Sequence, residues 1–207
     1  MSERPRVRAV GDRGVLIELA GNEEVHRLAA VARERFGSVL AEIVAGHTTL
    51  LLAWPRPPVD VAIVDALCAA GSEPATAPAP AERLTIPVIY DGPDLEAVAG
   101  HAGISPEEVG RRHAAGDYRV AFVGFAPGFG YLLGSDPALH VPRRDDPRER
   151  VPPGSVALAG EYTAVYPSAS PGGWQLIGST DRRMFDPARD PPALLEPGTP
   201  VTFEAAT

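Results

Sequence analysis

Hydrophobic and polar residues in the first third of the chain alternate with the period of a strand and then with that of a helix. Residues 6–10 and 15–19 have the two-residue period of strands on either side of a turn at 11–14. Asn22 is predicted to be the N-cap of a helix that ends at Gly37. The apolar side of this helix is formed by residues at helical spacing: Val25, Leu28, Ala29, Ala32 and Phe36.

A second block of two strands and a helix follows. Residues 39–44 and 48–54 are predicted strands, and a helix is predicted to begin near Pro58 and to end at Gly71. Residues 72–81 contain alanine, proline and no large apolar side chain, a composition typical of a semi-extended linker. The pattern therefore predicts a ββαββα domain over residues 1–71, a linker over 72–81 and a second domain over 82–207.

The second domain is predicted to be mostly strand and turn. It begins with a strand at 84–90, and two short helices follow, the later of which has a capping box at Ser105 and Glu108 and stops at Gly116. Further strand-like segments, separated by glycine and proline, are predicted at 118–125, 155–159, 163–166, 174–178 and 201–203. This pattern is typical of a small closed or half-closed β-barrel, so the predicted fold class is α+β in two domains.

Four glycine- and proline-rich phrases lie between these strands: FAPGF at 125–129, PR at 142–143, VPPGS at 151–155 and SPGGWQLIG at 170–178. Proline fixes φ and removes a backbone donor, whereas glycine permits φ > 0 and close approach, so each phrase demands a specific turn. Either they are tight turns with prolines at sheet edges, or they form a binding surface with aromatic walls and anion-binding groups. The candidates for such a surface are Phe125, Pro127, Gly128, Phe129, Tyr131, Arg143, Arg148, Gly172, Gly173, Trp174 and Thr180.

Several of these candidates have a structural alternative. A proline precedes both Arg143 and Arg148, which favours a pre-positioned guanidinium that binds an oxyanion. The surrounding run nearly balances acids and bases, however, and such runs are also typical of a solvated loop. Trp174 is predicted either to fill the barrel core or to form a pocket wall, and Gly172 and Gly173 either form an anion-binding nest or a hairpin turn.

The histidines and the cysteine give little support for catalysis by this chain. The five histidines are scattered, and His101 and His113 have no neighbouring ligand pair, so no metal site is predicted. His113 is predicted to cap or flank a helix face. His47 precedes a predicted strand and is a candidate for an interdomain or substrate contact, while Cys68 lies in an apolar run and is predicted to be a core residue.

The charged residues exclude several functions. The formal net charge is −8, with 27 acidic against 19 basic residues, which argues against nonspecific nucleic-acid binding. Every basic residue is an arginine. The absence of lysine excludes a Schiff base, a phosphate-loop lysine and covalent attachment of biotin to this chain. No segment approaches the roughly 18 apolar residues of a membrane span and no signal peptide is seen, so a cytoplasmic location is expected.

Taken together, the glycine and proline phrases carry a resemblance. FAPGFGYL at 125–132, VPPGSV at 151–156, SPGGW at 170–174 and GDR at 11–13 resemble the signature of the family of B subunits of bacterial 5-oxoprolinase. That family (PxpB/KipI) includes the kinase inhibitor KipI and is also labelled allophanate hydrolase subunit 1 or carboxyltransferase domain, subdomain C and D. The chain departs from the family pattern at Ser179, where arginine is common, and at Thr199, where aspartate is usual.

The resemblance implies a small N-terminal α/β domain followed by a cyclophilin-like β-barrel. It also implies one component of an ATP-dependent 5-oxoprolinase, which converts 5-oxo-L-proline to L-glutamate. This component would be inactive without its partners, a KipA-like C subunit and a LamB/YcsF-like A subunit, and ATP would be bound in the complex. Two other functions stay open: a component of a biotin-dependent carboxyltransferase of the urea carboxylase type, with biotin on another chain, and a KipI-like inhibitor of a sensor histidine kinase.

Overall fold

The computed structural model describes residues 5–70 and 82–206, and the chain divides into two units, residues 1–80 and 81–207. The predicted linker, residues 72–81, lies outside the described residues. Its role as the domain boundary therefore stays a prediction.

The N-terminal unit has one antiparallel sheet and two helices. Its elements follow in the order β1 (Arg6–Val10), β2 (Gly14–Glu18), α1 (Asn22–Phe36), β3 (Glu42–Ala45), β4 (Thr49–Ala53) and α2 (Val61–Ala70). The strands lie in the order β1-β2-β4-β3. One side of the sheet and the helices bury a common core that includes Ile17, Leu28, Leu50, Leu52 and Leu67. The predicted ββαββα order is confirmed.

Both helices of this unit begin differently from the prediction. Gly21, not Asn22, is the N-cap of α1. The Asn22 side chain instead donates hydrogen bonds to the carbonyl oxygens of Gly46 and His47, at 3.2 and 3.0 Å, in the turn between β3 and β4. Helix α2 begins at Val61 rather than near Pro58, and the Asp60 carboxylate accepts the free N–H of Ala62 at 3.0 Å.

The C-terminal unit contains a seven-stranded sheet, a separate strand pair and two helices. The sheet has the order β12-β9-β10-β7-β6-β13-β5, with β13 and β5 parallel and the other neighbours antiparallel. The elements of the unit are β5 (Leu84–Val88), α3 (Leu95–Ala102), α4 (Pro106–Ala114), β6 (Tyr118–Val123), β7 (Gly130–Leu133), a 3₁₀ turn (Pro137–Leu139), β8 (Arg148–Val151), β9 (Ser155–Ala159), β10 (Tyr162–Val165), β11 (Ser170–Gly172), β12 (Gln175–Ser179) and β13 (Pro200–Ala205).

The two edge strands of this sheet meet and close it into a barrel. Just beyond β5, Ile89 forms an antiparallel bridge with Ser179 of β12, with N–H···O distances of 2.9 and 2.8 Å in the two directions. All seven strands contribute side chains to one core, for example Ile86, Leu132, Leu158 and Phe203, and Val109 of α4 joins it. The predicted barrel and the α+β class are confirmed.

Three strands were missing from the predicted set: β7, β8 and β11. Each lies in or beside a phrase whose glycine or proline indicated a turn. Among the described residues, strands β8 and β11 pair only with each other. Pro171 is tolerated in β11 because this strand lies at an edge and needs no N–H at that position. The register of the pair shifts between Ser170 and Gly172, which marks a β-bulge.

Helix α4 shows half of the predicted capping box. The Ser105 hydroxyl accepts the N–H of Glu108 at 3.2 Å, as predicted. The Glu108 carboxylate, however, accepts hydrogen bonds from Arg111 and Arg112 at 2.6–2.7 Å instead of reaching back to the N-cap. The described residues include no helix with the length and apolar character that crossing a membrane requires.

Candidate functional site

The outer face of the barrel carries a layer of aromatic residues on small ones. Along β9, Val156 and Leu158 point into the barrel, whereas the alternate residues Ala157 and Ala159 lie on the outer face. Ala164 of β10 lies on this outer face as well. Because these alanines leave space above the sheet, large side chains pack on them. We call the following residues the aromatic cluster: Phe125, Phe129, Tyr131, Tyr166 and Trp174.

Phe129 lies at the centre of the aromatic cluster. Its ring centroid is 5.0–5.6 Å from those of the four other members, at the edge-to-face and tilted angles that aromatic pairs prefer. The structure thus brings together the predicted site residues Phe125, Phe129, Tyr131 and Trp174. Trp174 is 5% exposed and lies on the outer face, so it belongs to a buried layer outside the barrel interior.

Arg143 covers this layer from the solvent side. Its guanidinium carbon is 5.9 Å from the centroid of the Trp174 ring, a cation–π distance. The side chain is exposed and forms no ion pair or hydrogen bond with another residue in the described ranges. A guanidinium held over an aromatic ring without an acidic partner is available to bind an anion. The role of Arg143 in binding an anion stays a prediction.

Arg148 is differently placed from the exposed anion-binding arginine that the sequence predicts. Its Nη2 lies 2.7 Å from Oδ1 of Asp94, a carboxylate that is only 3% exposed. Arg144 contacts the same oxygen at 2.9 Å, and the backbone N–H of Leu176 donates to Oδ2 at 2.7 Å. We call Asp94, Arg144 and Arg148 the Asp94 triad. It links the start of α3 to the segment before β8, to β8 itself and to β12.

The surroundings of Asp94 hold it in the charged form. Burial alone would raise the pKa of this carboxyl, but the hydrogen bonds from Arg148 and Leu176 and the positive charges of Arg148 and Arg144 outweigh burial. The pKa of Asp94 is therefore lower than usual. Two guanidinium groups and one backbone N–H thus share a single buried charge, which makes the triad a structural element of this face.

Two polar atoms next to the triad have no partner among the described residues. Arg148 Nη1 and the Ser170 hydroxyl are both buried and make no hydrogen bond there. They lie on neighbouring strands, since Gly172 pairs with Arg148 and Ser170 pairs with Val151. Burial raises the pKa of Tyr166, and the hydrogen bond from the Trp174 backbone, followed by the charges of Arg143 and Arg148, offsets part of that increase. The β8–β11 pair thus contains buried polar atoms without hydrogen bonds in the described ranges, unlike the network around His113 in the barrel core.

Gly172 and Gly173 do not form a nest, which was one of the two alternatives that the sequence left open. Neither has a φ in the left-handed region, which the alternating conformation of an anion-binding nest requires. Gly172 ends β11 against the Tyr166 hydroxyl, where any side chain would collide with that ring, and the Gly173 carbonyl accepts the Arg144 N–H at 2.8 Å. At Gly172 the need for glycine therefore comes from close packing, whereas a Cβ at Gly173 would make only ordinary contacts at 3.6 Å or more.

The loop between β6 and β7, residues 124–129, has a strained backbone. Phe125 has φ = 68° and is the only non-glycine residue with positive φ in the described ranges. The Ala126 N–H donates to the Gly124 carbonyl at 2.8 Å, so Phe125 is the central residue of a γ-turn of the rare, positive-φ form. Despite its large apolar ring, Phe125 is 63% exposed. Pro127 and Gly128 follow in the same loop, and Gly128 has φ = 82°.

Thr180 lies away from the aromatic cluster. Thr180 follows β12, whereas Trp174 precedes it, so a strand of roughly 17–20 Å separates them. The Thr180 N–H donates to Gly154 at 2.9 Å, and this contact places it beside another turn. His47 lies in the β3–β4 turn of the N-terminal unit, and its role in a contact stays a prediction.

His113 belongs to the barrel interior and not to a helix surface. It is fully buried, with Nδ1 2.8 Å from the Tyr90 hydroxyl and Nε2 2.8 Å from Thr163 Oγ1. Thr163 itself donates to the Ala157 carbonyl at 3.1 Å, so its hydroxyl accepts from Nε2–H and the Tyr90 hydroxyl donates to Nδ1. Burial lowers the pKa of His113 to about 3. The residue is therefore a neutral, fully hydrogen-bonded part of the core.

Asp94, Arg144 and the polar core around His113 were not predicted from the sequence. Asp94 meets its partners across 50, 54 and 82 residues of chain, which no local pattern shows. The small outward residues of β9 offered a signal, because a strand with large inward and small outward side chains leaves room on its outer face. In the described ranges, no group of three or more histidine, cysteine, aspartate or glutamate side chains is arranged to hold a metal ion.

Residues 5–195 match the carboxyltransferase domain, subdomain C and D. The chain belongs to this family. It is 53% identical over 123 residues to the B subunit of 5-oxoprolinase from Escherichia coli O157:H7, a match that covers 58% of this chain and 56% of that protein. Against the Bacillus subtilis (strain 168) protein of the same name it is 50% identical over 121 residues, covering 57% and 50%. The matches thus span about half the length of these curated relatives.

Solved structures share the fold of this family member. Protein PH0987 from Pyrococcus horikoshii is 34% identical, with 97% of each chain covered and a TM-score of 0.59. The protein TTHA0988 is 34% identical with a TM-score of 0.79, and the similarity covers 98% of this chain but 40% of that one. Kluyveromyces lactis urea carboxylase, at 21% identity and a TM-score of 0.72 over 22% of its length, shows the fold alone.

Proposed function

We propose that the chain is the B subunit of an ATP-dependent 5-oxoprolinase, which opens the cyclic amide of 5-oxo-L-proline to give L-glutamate. The observation that carries this proposal is the 46–53% identity to three proteins named as the B subunit of 5-oxoprolinase. The name of these relatives indicates an assembly of several chains. In the proposed complex, the partners are the A and C subunits of the same enzyme.

The chemistry of the substrate fits the outer face of the barrel. 5-Oxoproline has a flat lactam ring and a carboxylate, so its site needs an apolar wall and a cation. The aromatic cluster supplies the wall, and Arg143, which has no acidic partner in the described ranges, supplies the cation. Arg148 donates a hydrogen bond from Nη2 to Asp94, so its role in this surface is structural.

A lactam is a poor electrophile until its oxygen is activated, which is the role of ATP in the proposed reaction. Transfer of the γ-phosphoryl group to the lactam oxygen gives an O-phosphorylated intermediate and ADP. Water then attacks the lactam carbon, and the C–N bond breaks as the ring nitrogen takes up a proton, which leaves the acyl phosphate of the opened chain. A second water hydrolyses this acyl phosphate to glutamate and inorganic phosphate. The chain contains no lysine to hold the nucleotide phosphates, so partner residues are expected to bind most of the nucleotide. The role of this chain in the complex is to bind and shield the substrate.

Reconstitution tests the proposal. The purified chain alone is expected to release no glutamate from 5-oxoproline, and a mixture with the A and C subunits is expected to release it only when ATP is present. Release by the chain alone, or a reconstituted activity that needs biotin and bicarbonate instead of 5-oxoproline, would contradict the proposal. A mixture that lacks this chain is the matched control.

A further inference from the structure

The β6–β7 loop, which carries Phe125 of the aromatic cluster, lines an open pocket. Residues 123–128 and Ala193 line an open cavity of about 340 Å³, within the size range of small-ligand sites. Its walls are mainly apolar, and Val123 and Phe125 are 38% and 63% exposed. Two large apolar side chains thus face solvent beside one cavity.

The loop that forms the pocket is held rigidly in a strained conformation. Hydrogen bonds from Gly124 N–H to the Phe129 carbonyl and from Phe129 N–H to Ala126, at 3.1 and 3.0 Å, close it at both ends. Gly128 packs against Phe185 so tightly that a Cβ would lie 2.7 Å from that residue's Cβ. A positive φ at a phenylalanine is unfavourable and persists only where the surroundings enforce it, as they do here at Phe125.

The same loop offers hydrogen-bond donors to a ligand. Ala126 N–H is used by the γ-turn and Pro127 has no N–H. The N–H groups of Phe125 and Gly128 donate to no acceptor in the described part of the chain, and both residues line the pocket. The pocket therefore combines an aromatic ring with two free backbone donors and no charged side chain, which suits a neutral planar group with an acceptor oxygen.

We propose that this pocket binds a small cyclic amide, whose ring lies against Phe125 and whose carbonyl oxygen accepts a hydrogen bond from the loop backbone. Under the proposed function, the ligand is the lactam ring of 5-oxoproline, and the inference rests on that function for the identity of the substrate. The donors are fixed before the ligand arrives, so they stabilise negative charge on the oxygen without reorganisation. Phe125 is thus assigned as a substrate-binding residue, and its exposure has a function.

Backbone amide chemical shifts of the full chain test the proposal without ATP or partners. Titration with 2-pyrrolidinone, which has the lactam but no carboxylate, is expected to give saturable shifts within residues 123–128 and at Ala193, at about 1–10 mM ligand. 5-Oxoproline is expected to do the same. L-Proline has the ring and the carboxylate but no ring carbonyl, and it is expected to leave the loop unchanged. No saturable shift with 2-pyrrolidinone, or equal shifts with L-proline, would overturn the proposal.

Phe125→Gly separates binding from folding. Glycine adopts φ = 68° without strain, so the melting temperature is expected to stay within a few degrees of the parent value, while the affinity for 2-pyrrolidinone falls about tenfold. Val61→Ala, which truncates a residue of similar exposure at 65%, is the control and is expected to bind like the parent. Unchanged affinity in a folded Phe125→Gly variant would remove Phe125 from the site.

The outcomes of the two proposals are distinguishable. Lactam binding in the loop without glutamate release from the reconstituted complex would contradict the proposed function and support this site. Glutamate release without lactam binding in the loop would support the function and overturn this site.

Discussion

The interior of the barrel and its outer face bury polar groups in opposite ways. In the interior, His113 satisfies both ring nitrogens, and Tyr90 and Thr163 complete the network. On the outer face, Arg148 Nη1 and the Ser170 hydroxyl are buried without a partner in the described ranges, and Arg143 has only an aromatic neighbour. Because unsatisfied polar groups cost stability, their grouping on one face indicates a surface shaped for something other than folding. We therefore assign stability to the barrel interior and function to its outer face.

The Asp94 triad is the exception on the outer face, because it stabilises the fold, and its removal is expected to have the largest effect. Asp94→Ala leaves Arg144 and Arg148 without an anion and the Leu176 N–H without an acceptor. Losing the buried partner of such a pair costs about 3–5 kcal/mol of unfolding free energy, measurable by urea denaturation. Asp145→Ala, at an exposed position next to Arg144 in the chain, is the control and is expected to change stability by about 0.5 kcal/mol or less. A loss below about 1 kcal/mol for Asp94→Ala would show that the triad does not stabilise this face.

The second prediction concerns pH and the interior. The pKa of His113 in the folded protein is about 3, below its ordinary value of 6.5. Between these two values the His113 ring is protonated in the unfolded chain and neutral in the folded chain. The contribution of His113 is fully present above pH 6.5 and is lost as the pH falls towards 3, at about 1.4 kcal/mol per pH unit. His113→Gln is expected to be less stable at pH 7 but to show a shallower acid dependence. Equal slopes between pH 6.5 and 4 would contradict a buried neutral histidine.

The third prediction compares Arg148 with another arginine of the same strand. Arg148→Ala is expected to lower the unfolding free energy by about 1–3 kcal/mol, less than Asp94→Ala, because Asp94 keeps its bonds to Arg144 and Leu176. Arg150→Ala removes an exposed arginine from the same strand and is expected to change it by about 0.5 kcal/mol or less. Thermal denaturation of the two variants decides. Equal stability would mean that the Arg148 contact to Asp94 contributes nothing.

The smallest expected effect is at Ser170. Its hydroxyl is buried without a partner in the described part of the chain, so Ser170→Ala removes an unsatisfied group. The unfolding free energy is expected to stay constant or to rise by up to about 1 kcal/mol. A loss of more than about 1 kcal/mol would show that the hydroxyl is satisfied in solution and would weaken the contrast between the two faces.

Local patterns predicted the fold well and the candidate site only in part. Strand and helix periods predicted the ββαββα order and the barrel, because those signals lie within a few residues of each other. Strands β7 and β8 were missed because glycine and proline beside them indicated turns. His113 was predicted to cap or flank a helix face, whereas its spacing of four from the buried Val109 puts both on the inward side of α4.

The site could be predicted only in part because it depends on distant parts of the chain. The aromatic members were found from motifs, and the structure brings them together around Phe129. The commitment of Arg148 to Asp94 spans 54 residues, and the γ-turn at Phe125 follows from a hydrogen bond that sequence does not show. The sequence therefore predicted several of the residues that belong to this face. Only the long-range contacts of the structure show which of them stabilise the fold and which are available to bind a ligand.

Turnover by the reconstituted complex with Arg143→Gln tests the central claim most directly. Arg143 has no polar partner in the described ranges, so its loss is expected to leave the melting temperature within about 2 °C of the parent value. If this arginine binds the substrate carboxylate, kcat/KM for 5-oxoproline falls about tenfold or more, by about 1.4 kcal/mol or more. Arg150→Gln, an exposed arginine nearby, is expected to keep parent activity. An Arg143→Gln complex with parent kcat/KM, or one whose activity falls only together with its melting temperature, would contradict the assignment of function to the outer face.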